Sequence, residues 1–219
     1  MAGVDNAADV DRFLESVLLA DDPALAGTLQ RAADAGLPAI QVSALQGKLL
    51  HLMVRAIEAT RVLEFGTLAG YSAIWMARGL ADGGRLTTLE LDPRHAEVAR
   101  HNLDAAGVGD RVDIVVGPAI ESLPALDGEM FDFAFVDADK VSTTAYVDWA
   151  VGHTRPGGLV VVDNVVRNGA IADAGSDDAN VRAVRDFLTH IAADPRTDTT
   201  VIQTVGTKGY DGFAVVAVR

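Results

Sequence analysis

Residues 131–140 read FDFAFVDADK and residues 159–164 read LVVVDN, so oxygen-bearing side chains follow directly on two apolar runs. If the runs are neighbouring strands, Asp137, Asp163 and Asn164 converge on one point. Three oxygen donors without His or Cys suit a hard divalent cation such as Mg²⁺, Mn²⁺ or Ca²⁺. Two carboxylates crowded together beyond apolar strands are costly unless a cation or protons neutralise them. The plainer alternative is a helix cap at Asp139 and a turn at Asp163-Asn164. Lys140 stands three residues after Asp137. Beside a metal, an amine there is placed to take a proton from an acceptor hydroxyl; the alternatives are a solvated lysine or a salt bridge to Asp139.

A second group of residues could hold a nucleoside. Residues 62–72, VLEFGTLAGYS, read as a strand, a Gly-containing turn and a helix start. Gly66 and Gly70 would let the backbone approach a ligand closely. Glu64 occupies the place of the first Gly of a dinucleotide fingerprint, so a pyrophosphate is disfavoured and a cationic ligand is suited. Glu90 follows 26 residues later, at the end of the next apolar run. An acid there is placed to accept hydrogen bonds from both ribose hydroxyls of an adenosine. The five histidines (51, 95, 101, 153 and 190) fit none of these clusters and read as structural or surface residues.

The elements that must position these side chains are legible in the hydrophobic pattern. Strands are expected at Val62–Phe65, Leu86–Leu91, Val112–Val116, Phe131–Val136 and Leu159–Val162, with helices at 71–80, 93–106, 119–126 and 143–154 between them. Such alternation argues for a parallel sheet covered on both faces. A further helix carries Val181, Val184, Leu188 and Ile191 on one face. The last two runs, 199–205 and 213–218, leave no room for a helix and should pair antiparallel. The expected fold is thus a doubly wound, mostly parallel seven-stranded α/β sheet ending in an antiparallel hairpin. Ahead of it come helices bearing Val10, Phe13, Leu14, Val17 and Leu18, then Leu25 and Leu29, then Leu45 to Ile57.

One domain accounts for 219 residues: residues 1–58 as N-terminal helices serving as a lid or dimer contact, and 60–219 as the α/β core. Apolar residues make up 49% and charged residues 22%, an ordinary globular balance. The formal charge of −13 makes nucleic acid a poor partner. Without cysteine, disulfides, zinc-thiolate sites and thiol nucleophiles are excluded. The acid-containing N-terminal segment lacks the pattern of a signal peptide, and no apolar run suits a membrane span, so a cytoplasmic location is expected.

Taken in order, VLEFGTLAGYSAIWMARGL, LELD, VGPAIESLP, FDFAFVDADK, RPGGLVVVDNVVRNG and the late DGF resemble the metal-dependent class I O-methyltransferases, the catechol and caffeoyl-coenzyme A enzymes and their bacterial relatives. The resemblance covers about residues 38–219. It implies that Val42 (in QVSALQG), Glu64, Gly66, Thr67, Ser72, Glu90 and Ala119 contact S-adenosylmethionine, with Glu90 on the ribose and Ala119 bordering the adenine. It implies that Asp137 is both a metal ligand and a neighbour of the methionine end, that Asp163 and Asn164 complete the metal site, most simply for Mg²⁺, and that Lys140 is the base. The implied reaction is in-line attack on the sulfonium methyl by an acceptor oxygen, with both oxygens of a vicinal diol on one metal. A small phenolic or catechol-type acceptor and a homodimer follow from the same resemblance. The alternatives are a tRNA hydroxyuridine methyltransferase and an inactive nucleotide-binding module. Departures from the family pattern stand at Thr143, Arg167 and Leu188, and residues 207–212 are expected to lengthen the final turn; Arg167 and that turn fall where the acceptor is expected.

Overall fold

The computed structural model describes residues 6–219; residues 1–5 of the N-terminal segment lie outside the described residues. Four of the eight α-helices of the described residues start on a side-chain cap. Asp22 accepts from the Ala24 and Leu25 amides ahead of α2 (Pro23–Asp34), and Ser43 accepts from Gln46 ahead of α3 (Ala44–Ala56). Each cap satisfies amides that the first helical turn leaves unpaired. Helix α1 (Ala7–Leu18) precedes both. Strand β1 (Arg61–Phe65), α4 (Tyr71–Ala77) and β2 (Arg85–Glu90) follow. Asp92 caps α5 (Pro93–Ala105), which leads to β3 (Val112–Val116), α6 (Ala119–Ser122) and β4 (Phe131–Val136). The chain then forms α7 (Thr143–Gly152), β5 (Thr154–Asp163), α8 (Ala179–Ala192), β6 (Thr197–Gly206) and β7 (Gly209–Val218).

The sheet order is β3-β2-β1-β4-β5-β7-β6. Strands β1 to β5 pair in parallel, and β7 runs antiparallel between β5 and β6. Order reverses between β1 and β4, and ligands of such sheets sit beyond the strand ends at that reversal. Alternate residues of each central strand enter different helical layers. Val62, Phe133, Phe135 and Val161 pack with Leu50, Val54, Ile74 and Met76 on one face. Leu63, Phe65, Ala134, Val136, Val160 and Val162 pack with Val147, Val184 and Phe187 on the other. Burial on both faces explains why these strands read as unbroken apolar runs.

The expected fold class is the observed one, with local differences. Strand β5 begins at Thr154, five residues before the expected start, because residues 154–158 remain extended and a register shift opposite Phe131 to Phe133 absorbs them. Helix α7 accordingly stops at Gly152. On α8 the fully buried aromatic is Phe187, while Leu188 is only partly buried. The final turn is not lengthened: ladder pairing continues to Gly206↔Gly209, leaving Thr207 and Lys208 as a two-residue hairpin tip with Gly209 at φ +88°. Residues 209–212, assigned to the turn from sequence, belong to β7. Helix α1 buries no residue, and Phe13, Val17 and Leu18 are 63%, 62% and 63% exposed. It is tied down by Asp11, in its second turn, whose carboxylate accepts from the Thr207 amide at 2.7 Å. No helix among the described residues is long and apolar enough to cross a membrane.

Candidate functional site

The register Phe65↔Val136↔Val162 aligns the carboxyl ends of β1, β4 and β5. Gly66, Asp137 and Asp163 are therefore the next residues on three adjacent strands, all lining one cavity of about 890 Å³. Gly66, at φ +94°, has a structural duty: a Cβ there would lie 2.2 Å from the Asp137 carbonyl oxygen. The glycine thus permits β1 and β4 to meet as well as exposing backbone to the cavity. Gly70 does not line the cavity; at φ +82° it starts α4 against Ala99, so its expected approach to a ligand is replaced by helix–helix packing.

On the β4–β5 side, Asp137 Oδ1 lies 3.2 Å from Lys140 Nζ, and the lysine side chain is only 10% exposed. Asp163 is 5% exposed. Burial, with the neighbouring Asp137 charge, pushes its carboxyl up to about 7, against the Gln46 side chain, the Asn164 amide and Lys140, which favour the ionised form. Asn164 follows in the left-handed region at φ +58° and lines the cavity. Asp139 does cap the next turn, accepting from Ser142 N at 3.0 Å and from the Tyr146 hydroxyl at 2.6 Å. These bonds outweigh burial and hold its carboxyl below the usual range, while burial and Asp139 push Tyr146 up to about 12. The cap thus occurs at Asp139, leaving Asp137 as the acid that meets Lys140. Among the described residues no cluster of three or more His, Cys, Asp or Glu stands as a metal site. The candidate donor set is two aspartates and an asparagine.

On the β1–β2 side, Glu90 keeps one edge in the cavity while Oε2 accepts from the Thr67 and Leu68 amides at 3.1 and 2.8 Å and Oε1 from Asp92 at 2.9 Å. Glu64 is placed differently from the expectation of a ligand-facing carboxylate. It has no exposed surface and does not line the cavity; it lies beneath it, accepting from Ser72 Oγ at 2.5 Å and Thr88 Oγ1 at 2.6 Å. Burial pushes its carboxyl up to about 8, opposed by those two hydroxyls. Ser72 forms the layer between Glu64 and the cavity, and Thr67 joins the same network through Thr88 at 2.6 Å. Val42, Thr67, Ser72 and Ala119 all line the cavity, as do Arg167 and the hairpin residues Lys208, Gly209 and Asp211.

Two cavity residues escaped the sequence reading. His95 lines the wall with Nδ1 3.4 Å from Glu90 Oε1. Its position in the first turn of a Pro-started helix beginning just after Glu90 was the available signal. Gln46, in the first turn of α3, faces Asp163; nothing in its local sequence marks it, because α3 reaches the sheet only through tertiary packing.

Residues 16–215 match the family model described as O-methyltransferase. The catechol O-methyltransferase of Mycobacterium tuberculosis (strain ATCC 25618 / H37Rv) is 55% identical over 214 residues, covering 98% of this chain and 97% of that one. The O-methyltransferase of Bacillus cereus, solved in complex with SAH, is 46% identical with a TM-score of 0.96, covering 98% of this chain and 99% of that one. The O-methyltransferase TomG of Streptomyces achromogenes, involved in tomaymycin synthesis and solved in complex with SAM, is 45% identical with a TM-score of 0.95, covering 100% and 99%. With the strand order, the strand-end acids and these likenesses in agreement, the chain belongs to the class I S-adenosylmethionine-dependent O-methyltransferase family.

Proposed function

We propose that this enzyme uses a divalent cation, most simply Mg²⁺, to methylate one hydroxyl of a small catechol-type acceptor. The observation that carries this reading is the pair of adjacent strand-end acids, Asp137 and Asp163, with Asn164 and Lys140 on the same cavity wall. Burial, with the neighbouring Asp137 charge, pushes the Asp163 carboxyl up to about 7, and a bound cation would favour its ionised form. All-oxygen donors fit a hard cation, and Asp137, Asp163 and Asn164 are the residues that would hold it. A bound cation supplies Lewis acidity, lowering the pKa of an acceptor hydroxyl beside it. Lys140, held by Asp137, would take the hydroxyl proton on the lone pair of Nζ in its neutral amine form. The acceptor oxygen then forms a bond to the methyl carbon as the bond from that carbon to the sulfonium sulfur breaks, leaving S-adenosylhomocysteine.

The other half of the cavity suits S-adenosylmethionine. Glu90 accepts from the ribose hydroxyls, Ala119 borders the adenine, and Gly66, Thr67, Ser72, Val42 and Asp137 surround the methionine end. Glu64 acts from beneath by fixing Ser72. Replacing Glu90 by Ala is expected to weaken S-adenosylmethionine binding by about 1.5–3 kcal/mol, the range for charge-assisted hydrogen bonds. Calorimetry that returns an unchanged affinity in the folded variant removes the ribose assignment.

The exposed apolar stripe of α1 supports pairing of two chains through the N-terminal helices. Light scattering at micromolar concentration is expected to give the dimer mass; a monomer mass rules this out.

A further inference from the structure

Three lysine or arginine side chains line the cavity: Lys140, Arg167 and Lys208. Lys140 is engaged by Asp137. Among the described residues, the other two have no carboxylate within 4.0 Å, and Lys208 Nζ donates only to the Ala39 carbonyl, at 3.1 Å. Arg167 and Lys208 are thus two cations on one cavity wall with no carboxylate at ion-pair distance.

The backbone holds Arg167 there at a cost. Its φ of +55° lies in the left-handed region, as do Asn164 at +58° and Asn168 at +55°. Such conformations in residues other than glycine persist where surrounding structure enforces them, often at functional sites. The enforcing group is Asp211 of β7, whose Oδ1 accepts from the Val166, Arg167 and Gly212 amides at 3.0, 2.9 and 2.9 Å. These bonds fasten the loop after β5 to the β6–β7 hairpin, which carries Lys208 at its tip. Both cations thus stand on the β5–β7 side, with Asp163 and Asn164, and across the sheet from Glu90 and Ala119 beside β2 and β3.

We propose that Arg167 and Lys208 bind a carboxylate on the methyl acceptor, so that the preferred acceptor is a vicinal diol bearing an anionic group and not a neutral catechol. The inference rests on the reading of this enzyme as a methyltransferase of catechol-type acceptors. A guanidinium can engage a carboxylate through two parallel hydrogen bonds, and the lysine adds a point charge. In an acidic chain, a built-in pair of cations favours entry of an anion.

The test compares kcat/KM for 3,4-dihydroxybenzoate, its neutral methyl ester and catechol, in the full chain with Mg²⁺ and S-adenosylmethionine. The acid and ester share the ring and diol and differ in charge. The acid-to-ester ratio is expected to exceed one and to fall about tenfold in Arg167→Gln, further in the double variant with Lys208→Gln, and less in Arg167→Lys. It should also fall as ionic strength rises. A ratio unmoved by both substitutions overturns the proposal. A weakened affinity for S-adenosylmethionine with an unmoved ratio also overturns it and assigns the cations to the cosubstrate. If none of the three diols is methylated while S-adenosylmethionine binds, the catechol reading itself fails, and this inference with it.

Discussion

Removal of divalent cations with EDTA is expected to abolish methyl transfer while S-adenosylmethionine still binds, and added Mg²⁺ to restore it. The physical reason lies in the strand ends. Asp163 is almost fully buried and faces Asp137 across the β4–β5 pair, so the ionised pair has too little counter-charge without a cation. The acceptor then meets a wall in which Asp163 competes with the cation's role by taking a proton. Its raised carboxyl gives the pH sense: a cation must displace that proton, so metal affinity should increase with pH up to about 7 and level off above it. For the metal-free protein the sign is the opposite of the usual salt-bridged acid. Folding favours the protonated form, so the Asp163 contribution to stability is lost as pH rises from the ordinary carboxylate range through about 7. Asp163→Ala should behave as the chelated enzyme. Turnover rates with and without EDTA, alongside calorimetric S-adenosylmethionine binding, decide the matter. Full activity in EDTA would reduce Asp137, Asp163 and Asn164 to turn and cap residues.

Lys140→Ala is expected to lower kcat by about 10²- to 10⁴-fold near neutral pH, the range for loss of a positioned proton acceptor. Lys140 is nearly buried and its Nζ is fixed 3.2 Å from Asp137, so its loss removes one particular amine from the cavity wall. S-adenosylmethionine affinity should change little, because of the groups proposed for it only Asp137 touches Lys140. Activity should partly recover as pH rises, since hydroxide then ionises the acceptor directly. A kcat within a few-fold of the parent enzyme across the pH range would assign Lys140 to a structural ion pair alone. Lys140→Arg distinguishes these roles further: it retains the charge beside Asp137 yet supplies no proton acceptor, so a structural role predicts rescue and a base role does not.

How much of this was legible beforehand varies with what each residue answers to. Asp137 and Asp163 stood out because polar oxygens abruptly end apolar strands, and the sequence names the strands themselves through their burial on both faces. Glu90 was legible for the same reason. Glu64 was legible as an unusual acid but not as a fully buried one. Its partners Ser72 and Thr88 come from a helix and a neighbouring strand, and only their convergence at 2.5 and 2.6 Å makes burial of the carboxyl tolerable. Gly66 was recognisable as a turn residue, whereas its contact with the Asp137 carbonyl depends on β1 lying next to β4. His95 was set aside because no histidine had a sequence neighbour of matching chemistry, although helix α5 returns it to Glu90.

By itself the sequence determined the alternation of strands and helices, the parallel sheet with its terminal hairpin, and the acids at the ends of β2, β4 and β5, because period and polarity are local properties of the chain. Tertiary structure alone decided which strand ends became neighbours, that the last hairpin is a tight two-residue turn, and that β7 lies between β5 and β6. Those choices place Lys208 and Asp211 beside Arg167, across more than forty residues of chain. The physical reason is that hydrogen-bond register and shared burial are satisfied only between segments distant in sequence. No single segment carries a record of the partner that completes it.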